Sequence, residues 1–340
     1  MKIIQINGES LMKKIINNPT EIVTEMLDGL AYIHSDLVHR LDGFDIIVRN
    51  TPKTGKVGLI SGGGSGHEPS HTGFVGQGML SAAICGAIFT SPTPDQILEA
   101  IKSADEGNGV FLVIKNYSGD VMNFEMAQEM AEIEGINTAS IIVDDDISVE
   151  NSLYTQGKRG VAGTILVHKI LGAATQAGKT LTEIKEIADE LVQNIHTVGL
   201  ALSGATVPEV GKPGFVLADD EIEFGIGIHG EPGYRKEKMQ SSRLLAKELV
   251  DKLSDSFELK SDDKVGILIN GMGATPLMEQ YVFANDVATL LADKGIEVIY
   301  KKLGNFMTSI DMAGLSLTFI KLDKLEWLTA LKSPVVTIAW

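Results

Sequence analysis

The side chains best suited to chemistry in this sequence are two histidines and one aspartate, each close to glycines. His67 follows a glycine run in SGGGSGHEPSH, Asp120 ends the segment KNYSGD, and His229 lies in GIGIHGEPG. A neutral imidazole donates a hydrogen bond from one ring nitrogen and accepts one at the other, and a carboxylate accepts a proton. These three residues are therefore candidates for acid–base or nucleophilic chemistry on a small polar substrate.

The glycine run before His67 indicates a place where ligand oxygens could bind. Glycine adopts backbone conformations with φ > 0 and lets successive N–H groups point into one cavity, which suits phosphate or several hydroxyl groups. The spacing matches neither a Walker A loop, because no lysine follows at the required position, nor the GxGxxG pattern. We expect a helix to begin after this loop, with its N-terminus keeping His67 neutral. A tight turn without a ligand is the alternative.

Asp120 and Lys115 bound the segment KNYSGD, which follows the apolar run GVFLVI. A carboxylate in a cleft can take the proton of a substrate hydroxyl, so Asp120 is a candidate general base. Because VMNFEM follows it, Asp120 is also placed to cap a helix N-terminus, and this alternative stays open. Lys115 is a candidate donor to a ligand oxygen, or else a solvated lysine.

The segment around His229 has the pattern of a strand. In IEFGIGIHG, isoleucine and phenylalanine alternate with Glu223, Gly225, Gly227 and His229. Period two predicts a strand with one buried face, and glycine leaves the other face open. We therefore expect room for a small molecule beside His229, whose neutral ring nitrogen can add to a ketone or aldehyde carbon and form a hemiaminal. A polar residue that simply ends the strand is the alternative.

The elements that must position these residues alternate between strand and helix. Apolar runs at 57–60, 109–114 and 139–143 predict strands, with helical patterns between them. This alternation is typical of parallel βαβ units, where ligands bind beyond the carboxyl ends of the strands. The sequence thus predicts an α/β fold with a doubly wound, mainly parallel sheet over residues 1–190. A smaller α+β two-layer domain, which carries His229, is predicted over residues 191–340.

Helices are predicted where apolar residues recur at helical spacing. In VMNFEMAQEMAEIEG this recurrence involves three methionines and Ile133, and further helices are expected over 159–177, 181–194 and 241–253. In the second domain, strands are expected at Val265–Ile269, Ile296–Tyr300 and Ser316–Lys321, with a helix after GATP.

The remaining charged and titratable residues favour structural roles. Three consecutive carboxylates, Asp144–Asp146, follow the third strand, but neighbouring side chains on a strand end point in opposite directions. We expect them to cap and to pair with Lys158 or Arg159, with a Mg²⁺ site as the less favoured alternative. No spacing of histidines or cysteine predicts a zinc site, and no metal ligand is assigned to this chain.

Composition excludes several classes of function. The chain has 340 residues, of which 44% are hydrophobic and 22% charged, and its formal net charge is −16. Such a balance argues against nucleic acid and against anionic membranes, which both require clustered lysine and arginine. A single cysteine, Cys85, allows no disulfide within the chain. No signal peptide or membrane span is recognised, so a cytoplasmic location is expected.

Several long segments together resemble the dihydroxyacetone kinase family, specifically its substrate-binding K subunit. The matching stretches span nearly the whole chain and include GKVGLISGGGSGHEPSHTGFVGQGML, LVIKNYSGDVMNFEMA, GIGIHGEPGYR and LINGMGATPLME. The resemblance implies that His229 binds the ketone carbon of dihydroxyacetone as a hemiaminal. It further implies that His67 and Asp120 hold and activate the terminal hydroxyl that receives phosphate. The substrate-binding residues expected on this basis are Gly64, Ser65, Gly66, His67, Lys115, Asp120 and His229.

The same resemblance implies partners. The chain ends where the K module ends, without the nucleotide-binding domain of the ATP-dependent single-chain members, and resembles the phosphotransferase-system-dependent form. In that form a separate L subunit carries ADP or ATP with Mg²⁺, and a phosphotransferase-system M protein recharges the nucleotide indirectly. No cofactor is expected in this chain, and a homodimer is. The phosphoenolpyruvate–glycerone phosphotransferase activity would then require the partner subunits.

A second function stays open at this point: a K-like paralogue that binds dihydroxyacetone and acts as a transcriptional co-activator. Some departures from the family pattern leave room for it, namely about ten extra N-terminal residues, Ala87 before the FTSPTP segment and few arginines in GYRKEKM. These positions concern a docking surface more than the pocket, so the pocket residues do not separate the two functions.

Overall fold

The computed structural model describes residues 13–150, 152 and 155–340, together with the backbone of 4–6 and 9–11. The two short N-terminal segments form an antiparallel ribbon of strands β1 (Ile4–Ile6) and β2 (Glu9–Leu11). The other residues of the N-terminal extension noted in the sequence lie outside the described residues.

The first of two six-stranded sheets confirms the mainly parallel arrangement. Its strands are β3 (Val38–Arg40), β4 (Ile46–Arg49), β5 (Gly58–Ser65), β6 (Ala82–Ile88), β7 (Val110–Lys115) and β8 (Thr138–Val143). They lie in the order β3-β4-β6-β5-β7-β8. Strands β6, β5, β7 and β8 are parallel, whereas β4 and β3 are added antiparallel at one edge.

Helices cover both faces of this sheet. They are α1 (Ile22–Ile33), α2 (Pro94–Ala104), α3 (Ser118–Ile133), α4 (Thr164–Gln176) and α5 (Leu181–Leu191). Phe111 and Val113 of β7 join the core beneath α4 and α5, while Val110, Leu112 and Ile114 join the core beneath α2 and α3. A strand buried on both faces reads as a continuous apolar run, which is why GVFLVI was recognisable. The prediction of a doubly wound sheet is confirmed.

The second sheet is mainly antiparallel, as expected for an α+β layer. Its strands are β9 (Ile195–Ala201), β10 (Glu221–Phe224), β11 (Arg235–Lys238), β12 (Lys264–Gly271), β13 (Glu297–Gly304) and β14 (Gly314–Lys321), in the order β11-β10-β9-β14-β12-β13. Only the β12–β13 pairing is parallel. Helices α6 (Ser242–Ser256) and α7 (Leu277–Asp293) pack on one face through a separate apolar cluster.

The other face of the second sheet points to the first. Leu268 and Ile320 from the second sheet share one apolar cluster with Phe111 and Ile165 from the first unit. The final helix, α8 (Leu325–Lys332), packs back on α4. A continuous core therefore crosses the proposed boundary at residue 190, which stays a prediction.

Helix α3 forms where its apolar spacing indicated, but it buries a different face. Met122, Met126 and Ile133 are 62%, 48% and 86% exposed, whereas Phe124 and Ala127 are fully buried. The small Ala127 lets the helix approach the sheet, Met122 and Met126 are left on the outside, and Met130 packs against the core at its edge. The helix expected from 159 begins only at Thr164.

Candidate active site

A cavity of about 720 Å³ opens beyond the carboxyl ends of the parallel strands β5 and β7. Strand ends of a parallel sheet meet at one edge, so the loops after them converge there. The cavity is lined by Gly64, Phe89, Thr90, Ser91, Tyr117, Ser118, Gly119, Asp120, Asn123 and His229. Three predicted site residues, Gly64, Asp120 and His229, therefore border a single space.

The glycine run belongs to strand β5 instead of forming a loop after it. Gly62, Gly63 and Gly64 pair with β6, whereas pairing with β7 stops at Ser61. A side chain at Gly63 would overlap with the Lys115 ammonium, and one at Gly64 would lie 2.5 Å from the backbone nitrogen of Thr90. The expectation of a glycine loop after the strand is wrong, and these glycines make room for protein groups beside the cavity. Binding of ligand oxygens by this run stays a prediction.

Ser65 and Gly66 direct their polar groups away from the cavity. The Ser65 hydroxyl donates to the Gly86 carbonyl at 2.7 Å. The Gly66 N–H donates to both carboxylate oxygens of Glu68, at 3.0 and 3.2 Å. The donors of these two groups are therefore engaged within the protein, and the contact of Ser65 and Gly66 with substrate stays a prediction.

Asp120 and Lys115 form a buried pair behind the cavity wall. Lys115 is the last residue of β7, and Asp120 is the third residue of α3. Their exposed fractions are 1% and 2%, and Lys115 Nζ lies 3.3 Å from Asp120 Oδ2. Asp120 Oδ1 is buried without a hydrogen-bond partner. The helix cap position belongs to Tyr117, so the alternative of Asp120 as N-cap is wrong, as is that of Lys115 as a solvated lysine.

His67 is buried, but no helix begins beside it. After β5 the chain passes through turns to a short 3₁₀ segment at Thr72–Phe74, so the predicted helix N-terminus is wrong. His67 Nδ1 lies 2.7 Å from the backbone carbonyl of Thr308, an acceptor, and therefore carries a proton. Burial, His229 and Lys115 together hold the pKa of His67 well below its usual range. The ring is neutral for reasons of desolvation and neighbouring charge.

His229 does not end a strand. Strand β10 stops at Phe224, because Gly225 has φ +75°, a left-handed conformation that favours glycine. A side chain at Gly225 would lie 2.5 Å from the Tyr234 ring, and one at Gly227 would overlap with the Glu231 carboxylate. The predicted strand is thus correct only for its first half. The glycines clear space for protein side chains, not for a ligand.

The two site histidines face each other through their ring nitrogens. His67 Nε2 and His229 Nε2 are 3.1 Å apart, and the rings are nearly perpendicular at 71°. Phe89 stacks on His67 with ring centroids 5.1 Å apart, while Tyr117 meets His229 edge-on at 4.7 Å. Two aromatic rings therefore hold the pair in place beside the cavity.

The loop that reaches His67 from the second sheet is held by Asn270. The Asn270 side chain donates to the Met307 carbonyl at 2.7 Å and accepts from the N–H groups of Phe306 and Met307 at 2.8 and 2.9 Å. This fixes the turn that presents the Thr308 carbonyl. Both sheets thus contribute to one site.

Sequence reasoning missed four contributors to this site: Phe89, Tyr117, Glu231 and Thr308. The first three lie inside motifs that were recognised, in FTSPTP, KNYSGD and GEPG. Glu231 contacts His229 twice, through the ring and through the backbone N–H. A carboxylate two residues from a candidate nucleophile was the available signal. Thr308 contributes its backbone carbonyl. Every residue type has one, so the sequence could not identify this position.

The acidic run after β8 serves structure. Arg159 is fully buried and pairs with Asp146 at 2.6 Å, which confirms the expected pairing with this arginine. Asp145 accepts hydrogen bonds from the N–H groups of Val161 and Gly163, both at 2.8 Å. Within the described residues, no three histidine, cysteine or acidic side chains are grouped to hold a metal ion.

Among the described residues, no helix is both long and apolar enough to cross a membrane.

Comparison with known proteins adds an independent finding. The family model described as the Dak1 domain matches residues 28–339. The dihydroxyacetone-binding subunit DhaK of a PTS-dependent dihydroxyacetone kinase from Lactococcus lactis is 68% identical, with 96% of this chain and 99% of the relative covered. The corresponding subunit of kinase 1 from Listeria innocua is 58% identical, with 97% and 100% covered. A solved structure of the dihydroxyacetone kinase operon co-activator DhaQ has a TM-score of 0.88 and 45% identity, with 93% and 97% covered.

Proposed function

The chain belongs to the family of Dak1-domain proteins, and from this premise we propose that it is the dihydroxyacetone-binding subunit of a phosphotransferase-dependent dihydroxyacetone kinase. The observation that carries the proposal is the site itself: His229, which contacts His67, and the buried Asp120 carboxylate, with one oxygen unpaired, line one cavity. Relatives named as such subunits, at 68% and 58% identity, support it. The remaining assignments concern how each residue acts.

His229 is assigned the capture of the substrate carbonyl. Its Nε2 lone pair adds to the ketone carbon, the π electrons of the carbonyl move to oxygen, and that oxygen takes up a proton. The product is a hemiaminal, formed without loss of any leaving group. A covalent bond to the carbonyl carbon selects a ketone over the corresponding alcohol and fixes the position of the terminal hydroxyl groups.

Asp120 is assigned the activation of the terminal hydroxyl. Its free Oδ1 accepts the hydroxyl proton as the oxygen attacks the phosphorus of the donor. Lys115, 3.3 Å from the other carboxylate oxygen, keeps the carboxylate oriented toward the cavity. His67 Nε2, an acceptor by virtue of its Nδ1 bond to Thr308, orients the substrate from the opposite side.

The phosphoryl donor is assigned to other polypeptides. We propose that a nucleotide-binding L subunit presents ADP or ATP with Mg²⁺, and that a phosphotransferase-system M protein recharges it indirectly. The chain itself would need no cofactor and would work in the cytoplasm as a homodimer. A cavity of about 720 Å³ exceeds the needs of a three-carbon substrate and leaves space for a donor phosphate to enter.

A co-activator function is the second candidate, since the DhaQ structure superposes at a TM-score of 0.88. The identity to that protein is 45%, compared with 68% to the Lactococcus kinase subunit. This difference favours the kinase subunit.

The test combines the chain with nucleotide-loaded L subunit and a charged phosphotransferase donor, and follows dihydroxyacetone phosphate. We expect turnover with the wild-type chain and a loss of about 10²-fold or more for Asp120→Asn, which keeps the shape but removes the base. Absence of turnover, together with a hemiaminal in a crystal soaked with dihydroxyacetone, would reject the kinase function in favour of the co-activator.

A further inference from the structure

We propose that Glu231 is the positioning residue of His229, because its carboxylate holds the proton on Nδ1 and directs the lone pair of the neutral ring to Nε2. The inference deepens the proposed function and rests on it, since Nε2 matters only if that atom captures the substrate.

Glu231 accepts two hydrogen bonds from His229. Its Oε1 lies 2.9 Å from His229 Nδ1, and its Oε2 accepts from the His229 backbone N–H at 2.5 Å. The Glu231 side chain is 1% exposed, whereas that of His229 is 17% exposed. Bonds to the ring and to the backbone of the same residue fix the orientation of the imidazole. The carboxylate is thus a buried support for a ring that reaches the cavity.

The chemistry of the partners sets the tautomer. A carboxylate accepts hydrogen bonds and does not donate them when ionised, so His229 Nδ1 must carry a proton. The neutral ring then has its only lone pair at Nε2, which a nucleophile requires. Glu231 is ionised: burial raises the pKa of its carboxyl group, but the contacts with His229 outweigh this and lower it to about 2.

The two Nε2 atoms of the histidine pair have matching roles when the site is empty. His67 also carries its Nδ1 proton, toward Thr308, so both Nε2 atoms would face each other as acceptors at 3.1 Å. A hydrogen bond between them needs one additional proton. When His229 Nε2 bonds to the ketone carbon, the carbonyl oxygen takes a proton from solvent and becomes a hydroxyl. The alkylated ring then carries the positive charge beside the Glu231 carboxylate, so atoms and charge balance.

The surrounding sequence makes room for this carboxylate. A side chain at Gly227 would overlap with Glu231 and lie 2.7 Å from Arg159 Nη1. Arg159 is fully buried, and its Nη1 has no hydrogen-bond partner. A buried guanidinium nearby stabilises an ionised carboxylate at low dielectric. Gly227 thus leaves space for the Glu231 carboxylate, and Arg159 stabilises its negative charge. A glutamate that only capped a turn would need neither.

The decisive variant is Glu231→Gln, compared with Glu223→Gln as a matched control. Glu223 is also buried, at 4% exposure, and accepts a backbone N–H from the same segment, but from Gly233 and not from His229. The amide in Glu231→Gln retains an acceptor for one bond and loses the other. Adduct formation is measured with [2-¹³C]dihydroxyacetone, and the tautomer by ¹⁵N chemical shifts of the His229 imidazole.

We expect Glu231→Gln to weaken adduct formation by about 10²-fold and to move part of the His229 population to the tautomer protonated at Nε2. Glu223→Gln should do neither, and Glu231→Asp should recover part of the loss. If Glu231→Gln does not fold, Gly227→Ala, which displaces the carboxylate without removing it, takes its place with the same two readouts.

The outcomes separate this inference from the proposed function. A wild-type chain that forms no adduct contradicts the proposed function itself. A wild-type adduct that persists unchanged in the folded Glu231→Gln variant, with the same ¹⁵N pattern, overturns the role of Glu231 alone.

Discussion

The His67–His229 pair and the His71–His168 pair have nearly the same geometry in different surroundings. Their facing nitrogens are 3.1 and 2.9 Å apart, and their ring planes meet at 71° and 66°. In the first pair His229 lines the cavity and His67 is buried, whereas both His71 and His168 are buried, at 5% and 0% exposure. Distance and angle between the rings therefore do not distinguish a pair beside a cavity from one inside the core.

The difference lies at the outer nitrogens. In the site pair both outer nitrogens face acceptors, the Thr308 carbonyl and the Glu231 carboxylate. In the inner pair, His71 Nε2 and His168 Nδ1 are buried without partners. Two neutral rings carry two protons, one in the bond between them and one on an outer nitrogen, so the inner pair needs no further proton. We infer that the acceptors behind a histidine pair decide which ring nitrogens keep a lone pair.

The largest expected effect is the loss of function in His229→Ala. Without the nucleophile, turnover with the partner subunits should fall by about 10²- to 10⁴-fold, and discrimination against glycerol should weaken. The free energy of unfolding should fall by about 1–3 kcal/mol, because the buried Glu231 carboxylate loses its ring partner. Kinetics with both substrates, and denaturant unfolding, measure the two effects. Unchanged selectivity would remove the covalent part of the proposal.

The opposite pattern is expected for His168→Ala. Removing a fully buried ring leaves a cavity and an unpaired His71 nitrogen, so the free energy of unfolding should fall by about 3 kcal/mol. Adduct formation in the folded protein at pH 7 should be retained. If this variant instead loses the adduct while remaining stable, the inner pair takes part in the chemistry and the contrast between the pairs fails.

Acid should destabilise the protein through the inner pair. Burial lowers the pKa of His168 from 6.5 to about 3 and also lowers that of His71. As pH falls below about 6.5, the His168 imidazole becomes protonated in the unfolded state but stays neutral in the folded state. The free energy of unfolding therefore decreases progressively until pH approaches about 3.

The variant that isolates this effect is His168→Gln. It should show a decline of unfolding free energy between pH 7 and pH 4.5 that is shallower by roughly 2 kcal/mol. Denaturant titrations at several pH values measure it. A parallel decline in both proteins would show that the buried imidazole does not titrate in this range.

The smallest expected effect concerns Phe89, which touches both rings of the site pair, with centroids 5.1 Å from His67 and 5.0 Å from His229. An aromatic contact contributes about 0.5–1.5 kcal/mol beyond burial. Phe89→Leu should therefore weaken adduct formation by roughly 2- to 10-fold without abolishing it. Titration with dihydroxyacetone measures the change. A loss as large as that of His229→Ala would mean that Phe89 does more than hold the rings.

Sequence patterns predicted much of the fold because they report burial directly. Runs such as GVFLVI are apolar on both faces, so the parallel strands were recognisable. Strands β6 and β9 were not, because AAICGAI and IHTVGLA mix small and polar residues that pack only against particular neighbours. The strand predicted through His229 is wrong beyond Phe224, because the chain turns at Gly225. The alternation of apolar and other residues continues after this turn, although the chain there is not a strand.

The sequence alone identified the candidates for the proposed chemistry: His67, Asp120 and His229 stand in motifs whose residue types restrict what they can do. Only the tertiary structure decided how they act, because protonation and reactivity depend on partners distant in the chain. The Nδ1 nitrogen of His67 donates to the backbone carbonyl of Thr308, which is distant in the sequence. Gly63 and Gly227 leave space for the side chains of Lys115 and Glu231, and only the folded structure shows this. Hydrogen bonding and burial are properties of an assembled site, and a linear pattern does not contain them.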